Sequence, residues 1–265
     1  MAVTTLSDID WFEWNGVKCT ASPYNMHVLS QPNIVSPLER IEQVTIPGRS
    51  GTLTLAEGDN IYDDIALSCS CVIDDPNSAS NDTLMSRISA ITGWLKGSGT
   101  VKFATRPGGY YKGRIANQIS FEKAVQGNPH RLFSVQFHCE PFFYYDSGKT
   151  AITDVSGLIT NPGNIPSQPL ITLSKASGKD EGTIMLLNGN TMIVTFAGED
   201  LETLDSITLD CEAKVAYTGN GTAISPYVLR GTRVQGDWIT IPSGSQYISI
   251  SDIGGISIIP RWRSI

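Results

Sequence analysis

What most constrains this chain is its punctuation: 25 glycines and 14 prolines are scattered among short apolar runs over 265 residues. Helices need longer uninterrupted stretches, so the spacing predicts many short strands joined by turns, a mainly β protein. Ile65–Ile73 is apolar at alternate positions, as a half-buried strand requires. Thr52–Leu55 alternates in the same way. Asn15-Gly16 lies between two apolar runs, the pattern of a two-residue hairpin turn. Arg40–Ile46 reads as an edge-like strand running into the tight turn Pro47-Gly48-Arg49-Ser50-Gly51. Further strands are expected at His27–Ser30, Val101–Phe103, Tyr110–Ile115 and Leu132–Phe137.

One segment breaks the rule. Leu84, Ile88, Ile91 and Leu95 follow at helical spacing, Asn81 or Asp82 is placed to cap the start, and Gly97 stands where a left-handed residue ends a helix. This is the one substantial helix predicted. From Asp146 to Pro169 the composition shifts to Gly, Ser, Thr, Asn and Pro, which places a boundary between a domain of residues 1–150 and one of residues 151–265. Beyond it, strands are expected at 170–173, 183–187, 191–196, 206–210, 214–217, 238–241, 247–251 and 257–259, with turns at Asn188-Gly189 and Asn220-Gly221. Eight strands without a helix suggest a two-sheet sandwich or jelly roll.

The net charge of −7 is spread evenly, without the basic patch of a specific nucleic-acid binder. No apolar stretch reaches membrane-span length, and the N-terminus lacks a signal-peptide pattern. Five irregularly spaced cysteines then read as free thiols in a reducing cytoplasm.

Reactive constellations are sparse. None of His27, His130 and His138 sits in a metalloprotease motif, and there is no G-x-S-x-G elbow. Cys69 and Cys71 share a strand face, but His138 and Cys139 point to opposite faces, so zinc fits poorly and small core cysteines fit better. Gly48–Gly51 lacks the phosphate-loop pattern, and Asp63-Asp64 and Asp74-Asp75 lack calcium-loop spacing. No cofactor or metal is expected, and no catalysis. Surplus aromatics in the first half, among them Tyr110, Tyr111 and Phe142–Tyr145, hint at protein interfaces.

Taken in order, several segments resemble the distal tail (Dit) family of siphophages and prophages. They are Trp11–Gly16, Val44–Gly51, Tyr62–Ile65, Ile91–Leu95, Pro107–Ile115 and Phe133–Phe142 in the first half. In the second half, Thr160-Asn161-Pro162-Gly163, Ile207–Glu212 and Ile259–Arg263 resemble it more loosely. The resemblance implies a β-rich belt domain with one α-helix, followed by a galectin-like β-sandwich. It further implies a homo-hexamer, in one ring or two stacked rings, at the tail tip of the virion and assembled in the host cytoplasm. Such a ring joins the major tail tube protein to the tail-associated lysin or fibre hub, and to receptor-binding proteins, and lets DNA pass without gripping it.

Candidate ring contacts, from turn exposure and surplus aromatics, are Pro47, Gly48, Arg49, Ser50, Gly51, Tyr62, Tyr110 and Tyr111. Two other readings compete. One is a carbohydrate-binding adhesion module presenting Trp238 or Tyr247 to host cell-wall glycans. The other is a jelly-roll glycoside hydrolase drawing on Glu199, Glu202 or Glu212.

Overall fold

A strand apolar at every second residue has one face to bury, and most of this chain solves that problem within two sheet-built units. The computed structural model describes residues 10–56, 61–73, 81–123, 130–153, 157–186, 189–199, 201–218 and 233–265. One unit runs to Phe143 and the second from Tyr144 to Ser264.

The first unit contains β1 (Phe12–Trp14), β2 (Val17–Lys18), β3 (Met26–Ser30), β4 (Ile41–Thr45), β5 (Thr52–Ala56), β6 (Ile65–Ile73), α1 (Asn81–Trp94), β7 (Ser98–Phe103), β8 (Gly109–Ile115), β9 (Glu122–Lys123) and most of β10 (Arg131–Tyr145). Its main sheet has the order β2-β1-β7-β8-β10-β6-β3, with β9 beside the start of β10. Asn15 and Gly16 have φ of 52° and 81°, and Trp14 pairs with Val17, so this Asn-Gly makes the expected two-residue hairpin. On β6, Ile65, Leu67, Cys69, Cys71 and Ile73 all face inward. They meet Phe133, Val135 and Phe137 of β10, and α1 brings Leu84 and Ile91 to the core. Phe137 lies 5.4 Å from Phe12, 5.6 Å from Trp14 and 5.6 Å from Phe103, and Trp94 stacks 4.2 Å from Tyr24. The helix ends before Gly97, whose φ is +74°.

The second unit contains β11 (Ile152–Thr153), β12 (Gly157–Asn161), β13 (Leu170–Lys175), β14 (Glu181–Leu186), β15 (Thr191–Thr195), β16 (Ser206–Asp210), β17 (Val215–Thr218), β18 (Val234–Gly236), β19 (Gly244–Ser251), β20 (Ile253–Ile259) and β21 (Arg263–Ser264). Two five-stranded sheets, β11-β20-β13-β16-β17 and β12-β19-β14-β15-β18, share one core. Ile171, Leu173, Ile207 and Leu209 enter it from one sheet; Ile184, Leu186, Met192 and Val194 enter from the other. The protein is thus mainly β, with one α-helix among the described residues and a β-sandwich in its second half.

Several local expectations need correction. Trp238–Ile241 is not a strand. It is irregular, with one bridge from Ile241 to Ser167, while Ile239 and Ile241 fill the core. Lys214 lies in a turn with φ of 54°, so the strand opens at Val215. The Gly- and Asn-rich stretch read as a connection contains β12, paired along its length with β19. Only Leu158 and Ile159 carry its apolar signal, too little to show a period. Asp74-Asp75, Asn188 and Asn220-Gly221 lie outside the described residues.

Candidate assembly surface

β4 and β5 form a sheet of their own. The register pairs Val44 with Leu53 and Glu42 with Leu55 on one face, and Gln43 with Thr54 and Thr45 with Thr52 on the other. With Ile46 added, one face of this hairpin is apolar apart from Glu42 near its base, and the other carries the amide of Gln43 and the hydroxyls of Thr45, Thr52 and Thr54, with Ile41 and Ala56 at the base. That is the pattern of a sheet packed on one side. Yet Ile46 and Leu55 are exposed, and Val44 and Leu53 are only half-buried. The segment leading into the hairpin continues the trend: Ile34 is 81% exposed and Leu38 75%.

The hairpin's base is fastened and its tip is free-standing. The Arg40 N–H donates to the Ile61 carbonyl and the Asp63 N–H to that of Leu38, each at 2.9 Å. The Arg40 guanidinium holds Asp63 at 3.0 Å. At the far end, Pro47–Gly51 closes the turn with every residue exposed. The Arg49 N–H donates to the Ile46 carbonyl, and Gly48 and Gly51 take positive φ, where a β-carbon would strain the backbone.

The other candidate contacts divide. Tyr62 is half-buried at the hairpin's base, bridged to Glu39 and set edge-on to Phe142 at 6.2 Å. Tyr110 is half-buried on β8. Tyr111 is no surface aromatic. It is buried against Phe103 and Phe143, and its hydroxyl accepts from the Arg106 guanidinium at 3.1 Å. On a strand, neighbours face opposite ways, so the core claimed one tyrosine of the pair. The hairpin's apolar face adds Val44, Ile46, Leu53 and Leu55 to the candidates. Their alternation was present in the sequence, but pairing them across the turn required the register.

The chemically reactive groups do not converge. All five thiols are buried. Burial pushes Cys19, Cys139 and Cys211 up to about 12, and the hydrogen bond to Cys69, with burial, also raises Cys71. A reactive thiol needs the opposite shift. Cys69 and Cys71 lie 3.8 Å apart, while His138 points away and pairs through Nε2 with Asp64 at 2.8 Å. Ser98 lines the same hollow as His138 and Asp64, but no hydrogen bond joins it to His138. Among the described residues no group of three His, Cys, Asp or Glu side chains is arranged to hold a metal. Glu212 is engaged by Arg261 at 3.2 Å and Arg263 at 3.9 Å, while Glu199 and Glu202 are exposed. Trp238 packs against the sandwich core, whereas Tyr247 is 50% exposed opposite Leu158 on the outer face of β19.

No protein-family model matches the sequence, and no curated protein matches it. Solved structures do. The crystal structure of the Dit protein of phage SPP1, described as a paradigm of the hub adsorption apparatus of phages infecting Gram-positive bacteria, superposes with a TM-score of 0.67. That alignment has 17% identity and covers 94% of this chain and 97% of the other. Two structures of the phage p2 baseplate align at 11% identity over 88% of this chain and 89% of theirs, with TM-scores of 0.44 and 0.41. The chain therefore has the fold of a phage distal tail protein.

Proposed function

We propose that this chain is a distal tail protein, a structural hub of a phage tail tip, whose copies assemble as a hexameric ring around a channel for DNA. The ring joins the tail tube to the tail-associated lysin or fibre hub. The observation that carries this reading is the apolar face of the β4–β5 hairpin, where Ile46 and Leu55 are exposed and Val44 and Leu53 only half-buried. A lone two-stranded ribbon is marginal in water, and an amphipathic one acquires its missing layer from another chain. The SPP1 Dit fold supports the reading.

The test is the native mass of the purified protein by light scattering, with negative-stain images of the same fraction. A ring of six copies, or two stacked rings, is expected. Arg49→Glu at the hairpin tip should shift the population toward smaller species on dilution. An unchanged mass distribution would remove that turn from the seam.

One observation favours a second reading, a carbohydrate-binding module. Tyr247 and its cross-strand neighbour Leu158, 71% exposed, form an apolar step on an outer sheet face flanked by the hydroxyls of Thr160 and Ser245. Binding of this protein to a glycan array, lost in Tyr247→Ala, would establish it.

A further inference from the structure

We infer that the β4–β5 hairpin of one copy docks into a hollow on the main sheet of the next copy, at Leu29, Leu132 and Glu122. This inference rests on the assembly reading and names the second surface of its seam.

The hollow has about 320 Å³ of space, at the small end for a binding site and suited to a few side chains. Its floor is the outer face of β6 and β10, where Ser70 pairs with Ser134 and Val72 with Leu132. Its wall is firm: the Asn117 amide donates to the Ser134 carbonyl at 2.9 Å and accepts from the Gln136 N–H at 2.7 Å. A preformed wall reduces the ordering cost of binding.

Two complementarities select it. The first is apolar. Among the described residues of the first unit, the exposed large apolar side chains outside residues 34–55 are Val17, Leu29, Met85 and Leu132. Leu29 and Leu132 share this hollow. The second is charge. At the hairpin's exposed tip, residues 46–51, the sole charged residue is Arg49, while Glu42 lies near the base opposite Leu55; the sole charged residue lining the hollow is Glu122. Neither Arg49 nor Glu122 makes an ion pair among the described residues. One cation at the hairpin tip and one anion beside Leu29 and Leu132 in the hollow fix a register as well as an attraction. Because hairpin and hollow are different surfaces of one chain, the contact is head to tail and repeats from copy to copy, as a ring requires.

The decisive experiment is a charge swap read by light scattering on the full chain. Arg49→Glu and Glu122→Arg should each weaken self-association about tenfold or more, and the double variant should return it to within about threefold of the original. Both positions are exposed, so thermal unfolding should not move. A second readout mixes Arg49→Cys chains with Glu122→Cys chains. Oxidation should give a covalent dimer in the mixture and in neither variant alone, since the native thiols are buried. An assembling wild-type protein with no rescue and no mixed dimer overturns the hollow and leaves the assembly reading standing. A wild-type protein of single-chain mass at every concentration overturns the assembly reading and this inference with it.

Discussion

At the scale of single residues, the segments that resemble the distal tail family serve the architecture. The Asn161 amide donates to the carbonyls of Ile165 and Ile241 and accepts from the Gly163 N–H, so a fully buried side chain leaves no polar atom unmet. A β-carbon on Gly163 would stand 1.9 Å from the Arg263 carbonyl oxygen. Gly163→Ala should therefore destabilise the protein by roughly 3 kcal/mol, read by urea unfolding. Arg261 grips Asp210 through two nitrogens at 2.8 and 2.9 Å, and Asp210 also accepts the N–H groups of Glu212 and Ala213. Burial alone would raise the Asp210 carboxyl, but Arg261 and these N–H groups outweigh it and hold it below its ordinary value. A carboxyl depressed in the folded state adds stability above its unfolded value near pH 4, and that stability is lost as the pH falls through the folded value. Arg261→Ala should cost about 2 kcal/mol at neutral pH, and the difference from wild type should shrink as the medium becomes more acid. The five thiols supply a simpler check: a thiol reagent at pH 8 should find none that reacts quickly before the protein unfolds.

At the scale of elements, strands differ in what burial they obtain inside the chain. β6 presents alternate residues to a core that covers them, so Leu67→Asp should unfold the first unit. The β4–β5 hairpin has the same alternation and only partial cover. Val44→Asp with Leu53→Asp should change the stability of the separate chain by only about 1 kcal/mol or less and abolish assembly. Hydrogen exchange gives the same contrast: hairpin amides should exchange fast in dissociated chains and slowly in the assembled form. The helix and most strands were legible because their periods are clean and their turns carry Asn-Gly or positive-φ glycine. β12 and the Trp238–Ile241 segment were not. The first is too poor in apolar residues to show a period, and the second is apolar without being paired.

At the scale of the whole molecule, the even acidic charge argues against retention of nucleic acid. With a net charge of −7 there are few phosphate contacts to offer, so duplex DNA should not bind even at low salt, as a gel-shift assay would read. The order of motifs along the chain carried the resemblance to distal tail proteins. The likeness in fold to SPP1 Dit appears at only 17% identity, because a pattern of buried and exposed positions survives replacement of the side chains that express it.

Amphipathic period, turn chemistry and composition depend on near neighbours in the chain, and so the sequence alone determined the mainly β class, the helix that opens at Asn81 and the change of character after residue 145. Which apolar face finds cover is a matter of distant neighbours. Only the tertiary structure decided that Tyr111 belongs to the core, that Val44 and Leu53 share a face only half covered, and that Leu29, Leu132 and Glu122, far apart in sequence, meet in one hollow.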